Sequence, residues 1–301
     1  MTGTVRGVDP SLEQAIRSSD IAAGYAALIN FASEPTISSS HLWVDNGLEN
    51  DTRLTITKFP LRHEFKAQVH RWKPFVQATL ARLVMDQTYD VFDGQESVEP
   101  TWSAYSFAVG GGVRIPLSPH WSLLPAFDLG YTRLNNTVHY SGDRGNIGLK
   151  PLLDGILFNW SADAWLSNVH LALRYENSFK KLDVTTTVSG TASRIESFNS
   201  TSSFQEFGET LGTMHFKADG TYPLGISFKG NPLSVVGHVG NTTMVGDKRD
   251  ELGFTSVNET GISFEMGLGQ YDLPLSKLGI GAMGLWGKNV YGWALIFRYA
   301  F

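Results

Sequence analysis

The chain ends on YGWALIFRYAF, and this ending limits the possible folds more than any other feature. Successive side chains of a strand point to opposite faces. Tyr291, Trp293, Leu295, Phe297, Tyr299 and Phe301 therefore share one face, and five of the six are aromatic. Gly292, Ala294, Ile296, Arg298 and Ala300 occupy the other. A soluble sheet hides such a greasy face against a second layer. A barrel in an outer membrane turns it toward lipid, with aromatics at the interfaces.

The same alternation recurs along the chain. Tyr105, Phe107, Val109, Gly111, Val113 and Ile115 form one apolar row. Trp121, Leu123, Pro125, Phe127, Leu129 and Tyr131 form another. Further rows are Ile156, Phe158, Trp160, Ala162, Ala164 and Leu166, then Val169, Leu171, Leu173 and Tyr175. Near the end come Ile262, Phe264, Met266 and Leu268, then Leu278, Ile280, Ala282, Gly284 and Trp286. Residues of the partner rows are small or polar, as at Ser106, Ala108, Gly110 and Gly112, or at Asn159, Ser161 and Asp163. Each segment reaches the roughly 9–11 residues that a tilted strand needs to cross a bilayer. No apolar run approaches the roughly 18 residues of a spanning helix.

Twelve strands follow, near 36–45, 52–70, 73–86, 103–115, 120–134, 154–166, 168–189, 210–228, 232–241, 260–270, 277–286 and 290–301. Short turns at 71–72, 116–119, 167, 229–231 and 271–276 alternate with long polar stretches at 87–102, 135–153, 190–209 and 242–259. An even count with both ends on the periplasmic side permits closure, and an open edge in lipid would leave backbone groups unpaired. Pro60 suggests a bulge, and Asp219-Gly220 could be a hairpin turn that raises the count to 13 or 14.

Residues 11–32 read as a helix instead, with Leu12, Ala15, Ile16, Ala22, Ala23 and Ala26 at helical spacing. Pro10 and Ser11 suit its start, and Pro35 follows its end. The expected organisation is an N-terminal segment, 1–35, whose thin helix plugs the lumen, and a barrel over 36–301. The fold class is all-β: a transmembrane antiparallel β-barrel of about 12 strands.

Composition excludes several classes. With no cysteine there are neither disulfides nor cysteine metal sites. A formal charge of −5 without a basic block argues against nucleic-acid binding. The first twenty residues have no basic stretch leading into an apolar one, so an exported chain would have lost its signal peptide.

The 11–32 helix, the twelve alternating segments and the terminal YGWALIFRYAF together resemble the translocator domain of autotransporters. More closely, the chain resembles the solitary outer-membrane autotransporter-like β-barrel family, which lacks a passenger. Only about ten residues precede the helix, so no secreted passenger is expected. The last strand resembles the one that the outer-membrane assembly machinery recognises. The resemblance implies residence in the bacterial outer membrane, with lipid, lipopolysaccharide and that machinery as partners, in a monomer. It supplies no enzymatic residues and no cofactor.

Three constellations remain. His139 and Ser141 share a face at a spacing that resembles outer-membrane lipid hydrolases, with His as base for a Ser nucleophile. The bland reading is a polar loop stem. Glu64, Lys66, His70, Asp128, Asp163, Arg174, Glu176, Glu265 and Arg298 are expected to face the lumen. They would line a solute path, or pair with each other and with Glu13, Arg17 and Asp20 of the helix, since unpaired charge in a narrow lumen is costly. No metal-ligand spacing occurs among the eight histidines. Asp86, Asp90, Asp93, Glu96 and Glu99 place five carboxylates in one outer stretch, suited to Ca²⁺ or a basic partner but ordinarily just solvated. The expected role is a non-enzymatic envelope protein, surface-presenting or a narrow plugged channel, with lipid hydrolysis and loop-mediated adhesion as alternatives.

Overall fold

Alternating aromatic and β-branched residues favour extended backbone, and here they form one continuous antiparallel ladder. The computed structural model describes residues 39–45, 51–65, 71–91, 95–201, 206–246, 249, 252–268 and 276–300. The strands are β1 (Ser39–Asp45), β2 (Asp51–Glu64), β3 (Lys73–Gln87), β4 (Tyr89–Val91), β5 (Glu96–Pro116), β6 (Trp121–Tyr140) and β7 (Trp160–Phe179). They continue as β8 (Leu182–Phe198), β9 (Gly208–Phe228), β10 (Asn231–Val245), β11 (Ser256–Gly267), β12 (Lys277–Gly287) and β13 (Val290–Ala300).

Twelve of these close into a ring. β3 pairs with β5 from Lys73↔Arg114 to Asp86↔Thr101. β1 pairs with β13 from Ser39↔Leu295 to Val44↔Val290. The three-residue β4 only folds back on the end of β5. Pro60 sits in register opposite Thr79 without a bulge, and Asp219-Gly220 lies inside β9 opposite His238 and Gly237. Neither strand splits, so the barrel has twelve strands.

One boundary differs from the sequence reading. Ser167 is not a turn: it sits mid-strand in β7, opposite Leu129 and Arg194. The turn is at Lys180-Lys181, where Lys180 adopts φ 59°. The apolar residues change parity at this point because the lumen changes character along its axis. In the first half of β7, Trp160, Ala162, Ala164 and Leu166 point inward and are buried. In the second half, Val169, Leu171 and Leu173 point outward. Strands are also longer than expected, so β6 and β8 absorb much of the predicted loops. Residues 142–153 form short helical turns at the end of β6.

The outer wall carries the expected greasy rows. Phe107, Phe127, Leu171, Phe264, Ile280 and Phe297 are all exposed. Tyr291, Trp293 and Leu295 share that face of β13, while Phe301 lies outside the described residues. Inside, a buried apolar cluster occupies the end of the barrel beside the 142–153 turns, including Leu54, Ile56, Leu83, Leu166, Ile195 and Leu285. The opposite end of the lumen is polar.

Candidate functional site

The polar half of the lumen is held by chains of hydrogen bonds that run across strands. In the first, Arg62 of β2 donates to Gln77 Oε1 through Nε at 3.2 Å and Nη2 at 2.6 Å. Gln77 Nε2 donates to Asp128 at 2.8 and 2.9 Å. His170 Nε2 lies 2.7 Å from Asp128 Oδ2, and its Nδ1 lies 2.9 Å from Thr191 Oγ1. Gln77 reaches Asp128 across β5, where Gly110 stands between them in register. Any Cβ at Gly110 would collide with Asp128 Oδ1 and the Phe127 carbonyl oxygen.

A second chain spans β9 to β13. His238 Nδ1 lies 2.7 Å from Asp219 Oδ1, and His238 Nε2 lies 2.7 Å from Ser263 Oγ. Arg298 Nη1 donates to Asp219 Oδ2 at 3.1 Å and its Nε to Glu265. Lys217 Nζ lies 3.6 Å from Asp219. Gly279 separates Arg298 from Glu265 in register, and its missing side chain opens the path between them.

A third group lies at the mouth beside the 180–181 turn. Arg114 meets Glu176 and, at 3.8 Å, Glu64, while Arg174 Nη2 lies 2.7 Å from Glu176 Oε1. Two cavities border these groups. One of about 310 Å³ touches Arg62, Asp128, His170 and Lys217. One of about 890 Å³ touches Glu64, Arg114, Glu176, Glu265 and Arg298.

Ser263, His238 and Asp219 have the spacing of a nucleophile, base and orienter. Their surroundings do not suit acyl transfer. Ser263 is fully buried, Asp219 is shared with two cations, and neither Ser263 nor His238 borders either cavity. The line works as a buried polar tie, in which each group satisfies the next.

The closed twelve-strand ring, with its greasy outside and paired charges inside, is matched by a family model described as the solitary outer membrane autotransporter β-barrel domain, over residues 33–301. The chain belongs to this family. Solved structures agree in fold. The transport unit of the autotransporter AIDA-I from Escherichia coli is similar at TM-score 0.57 and 11% identity, over 95% of this chain and 99% of that one. The β domain of the Bordetella autotransporter BrkA gives 0.52 and 12%, over 87% and 96%. The translocator domain of NalP from Neisseria meningitidis gives 0.50 and 9%, over 91% of each. A search of curated proteins gave no match. As an autotransporter-type barrel domain, the chain has its place in the bacterial outer membrane.

The remaining site residues are distributed within this autotransporter-type barrel. Glu64, Asp128, Arg174, Glu176, Glu265 and Arg298 project into the lumen, on the strand faces that carry the three groups above. Lys66 and His70 lie outside the described residues, as do Glu13, Arg17, Asp20 and the whole 11–32 segment. Asp163 is a correction. It shares the outward face of β7 with Trp165 and accepts from Tyr131 Oη at 2.6 Å and Asn199 Nδ2 at 2.8 Å. Odd-numbered residues of β7 face outward along its whole length, and only the apolar residues switch from even to odd positions. Arg62, Gln77, Arg114, Lys217, Asp219 and His238 were missed. A usable signal existed for two of them: Lys217 and Asp219 alternate with Met214, Phe216 and Ala218.

His139 and Ser141 do not form a dyad: no hydrogen bond joins them among the described residues. Ser141 Oγ instead accepts from the Ser97 backbone N–H and donates to its carbonyl at 3.2 Å. Of the outer carboxylates, Asp86, Asp90 and Glu99 border one cavity of about 480 Å³ together with Arg53, while Glu96 turns to the 142–153 turns and Asp93 lies outside the described residues. Asp86 accepts from Thr101, and Glu96 accepts from the backbone N–H groups of Arg144 and Gly145 at 3.2 and 2.7 Å. Glu96 thereby fastens the 142–153 turns to β5.

Proposed function

We propose that this barrel is a closed envelope protein that presents its long hairpins at the cell surface, not an open pore or a lipid hydrolase. One observation carries the reading. The inward side chains Leu54, Ile56, Leu83, Leu166, Ile195 and Leu285 are each less than 2% exposed. In a water-filled pore such side chains would be wetted, at about 25 cal/mol per Å² of apolar surface. Their burial supports a lumen sealed toward the 142–153 end and open only as a polar vestibule at the other.

The orientation follows from connection lengths. Turns at 180–181 and 229–230 fit the periplasmic side, and the 141–159 connection fits the outside. We place the 11–32 helix in the lumen, where its Ala-rich face, with Leu12 and Ile16, would suit the apolar cluster. Among the described residues the ring closes β1 on β13, which supports a monomer. Lipid, lipopolysaccharide and the assembly machinery acting on the last strand are the proposed partners.

The absence of cysteine makes the test direct. Ile147→Cys, at a position 76% exposed, is expected to react on intact cells with a polymer-linked maleimide too large for porins. Lys180→Cys is expected to react only after the outer membrane is opened. The reverse pattern would invert the barrel. Purified full-length chain in planar bilayers is expected to show no steady conductance, and large stable channels would overturn the closed-lumen reading.

A further inference from the structure

We propose that the outer wall carries a binding site for a phosphorylated glycolipid of the outer leaflet, gripped by Arg82 and Arg133. The register places these two arginines in one row, Arg82↔Tyr105↔Arg133, on strands β3, β5 and β6. They flank Tyr105 at two strand spacings, about 10 Å apart, and both side chains are exposed. The next row toward the membrane interior is Phe59, Leu80, Phe107 and Tyr131. These residues and the two arginines line a surface cleft of about 600 Å³.

Charge and level select the occupant. Arg82 has no carboxylate partner among the described residues; its guanidinium lies 5.5 Å from the Tyr105 ring centroid. Arg133 approaches Asp163 at 3.5 Å, but that carboxylate already accepts from Tyr131 and Asn199. Two exposed guanidinium groups above an apolar cleft complement a phosphate above acyl chains. Arg133 lies twelve positions beyond Trp121 on β6. At about 3.3 Å per residue and a tilt near 40°, that is about 30 Å along the membrane normal. The apolar band of such a barrel is about 25 Å tall. With Trp121 at the inner interface, the arginines therefore stand at the headgroup level of the opposite leaflet. That leaflet is the outer one on the orientation proposed above, so the glycolipid assignment rests on that reading.

The test uses the full chain folded in detergent, with diphosphorylated lipid A and phosphatidylglycerol as separate probes and bound lipid counted by native mass spectrometry. Wild type is expected to retain lipid A at least tenfold better than Arg82→Gln/Arg133→Gln. Arg194→Gln, which alters an exposed arginine outside the cleft, is expected to retain it like wild type. Heat-modifiable gel mobility checks that each variant folds. Equal retention by the double variant overturns the site, and so does equal loss in Arg194→Gln. Arginine-dependent retention of phosphatidylglycerol in preference to lipid A overturns the glycolipid assignment. The cysteine labelling at 147 and 180 judges orientation independently, so the two failures are distinguishable.

Discussion

Gln77 Nε2 donates to both carboxylate oxygens of Asp128, at 2.8 and 2.9 Å, across the bare backbone of Gly110. Side chains on strands two apart do not normally meet, because the strand between them fills the gap with its own. Gly110 removes that obstacle. Gly110→Val is therefore expected to push Asp128 away from Gln77 and His170. Overpacking of this kind costs about 1–3 kcal/mol, and the lost charge-assisted bond adds to it. Urea unfolding in lipid vesicles measures the change. Gly237→Val is the control, since a Cβ there meets nothing within 4 Å. Equal stability of the two variants would refute the role given to Gly110.

Asp219 holds the second chain together, because Arg298, Lys217 and His238 all converge on it. Asp219→Ala leaves Arg298 with Glu265 alone and strips His238 of its acceptor. Removing one partner of a buried ion pair costs about 3–5 kcal/mol. The side chain is 12% exposed, so the lower end of that range is expected. Denaturation midpoints of the variant against wild type would measure it. A loss below about 1 kcal/mol would mean that solvent replaces these contacts easily.

How much of this was legible in the residues follows from where parity and polarity agree. On β12 and β13 every inward residue is small, polar or buried, so Leu278 to Trp286 and Tyr291 to Phe297 read correctly as the outer face. In β7 the two signals separate. Trp160 to Leu166 are apolar yet inward, since the lumen itself is apolar at that end, and an alternation rule applied alone turns one strand into two. Asp163 went to the wrong side for the same reason. Which lumen groups pair, as Gln77 does with Asp128, is set by register between strands far apart in the chain, which no local pattern encodes.

Ser141 is a structural residue on this geometry. Its hydroxyl ties the end of β6 to Ser97, next to the Glu96 contacts that hold the 142–153 turns. Ser141→Ala is expected to leave lipid turnover unchanged and to speed protease cleavage within 142–153 on intact cells. Loss of a lipid hydrolase activity in this variant, with cleavage unaltered, would restore the catalytic alternative.

Leu171 and Ser189 separate a barrel solvated by lipid from one whose outer wall meets water. Leu171 faces outward in β7 and is 53% exposed. Ser189 lies on the neighbouring strand at the adjacent register position, faces inward and borders the cavity beside His170. In lipid, Leu171→Arg places a charge among acyl chains and is expected to cost about 2–4 kcal/mol. Ser189→Arg adds a cation to a polar space near Asp128 and is expected to cost less than about 1 kcal/mol, because lumen substitutions leave the lipid contact intact. A barrel whose outer wall met water would give the opposite order: its outward leucine would tolerate arginine, while its interior would not. Folding yield into vesicles, read by gel mobility with and without heating, ranks the two variants. If Ser189→Arg proves the more damaging, the outer wall is not solvated by lipid.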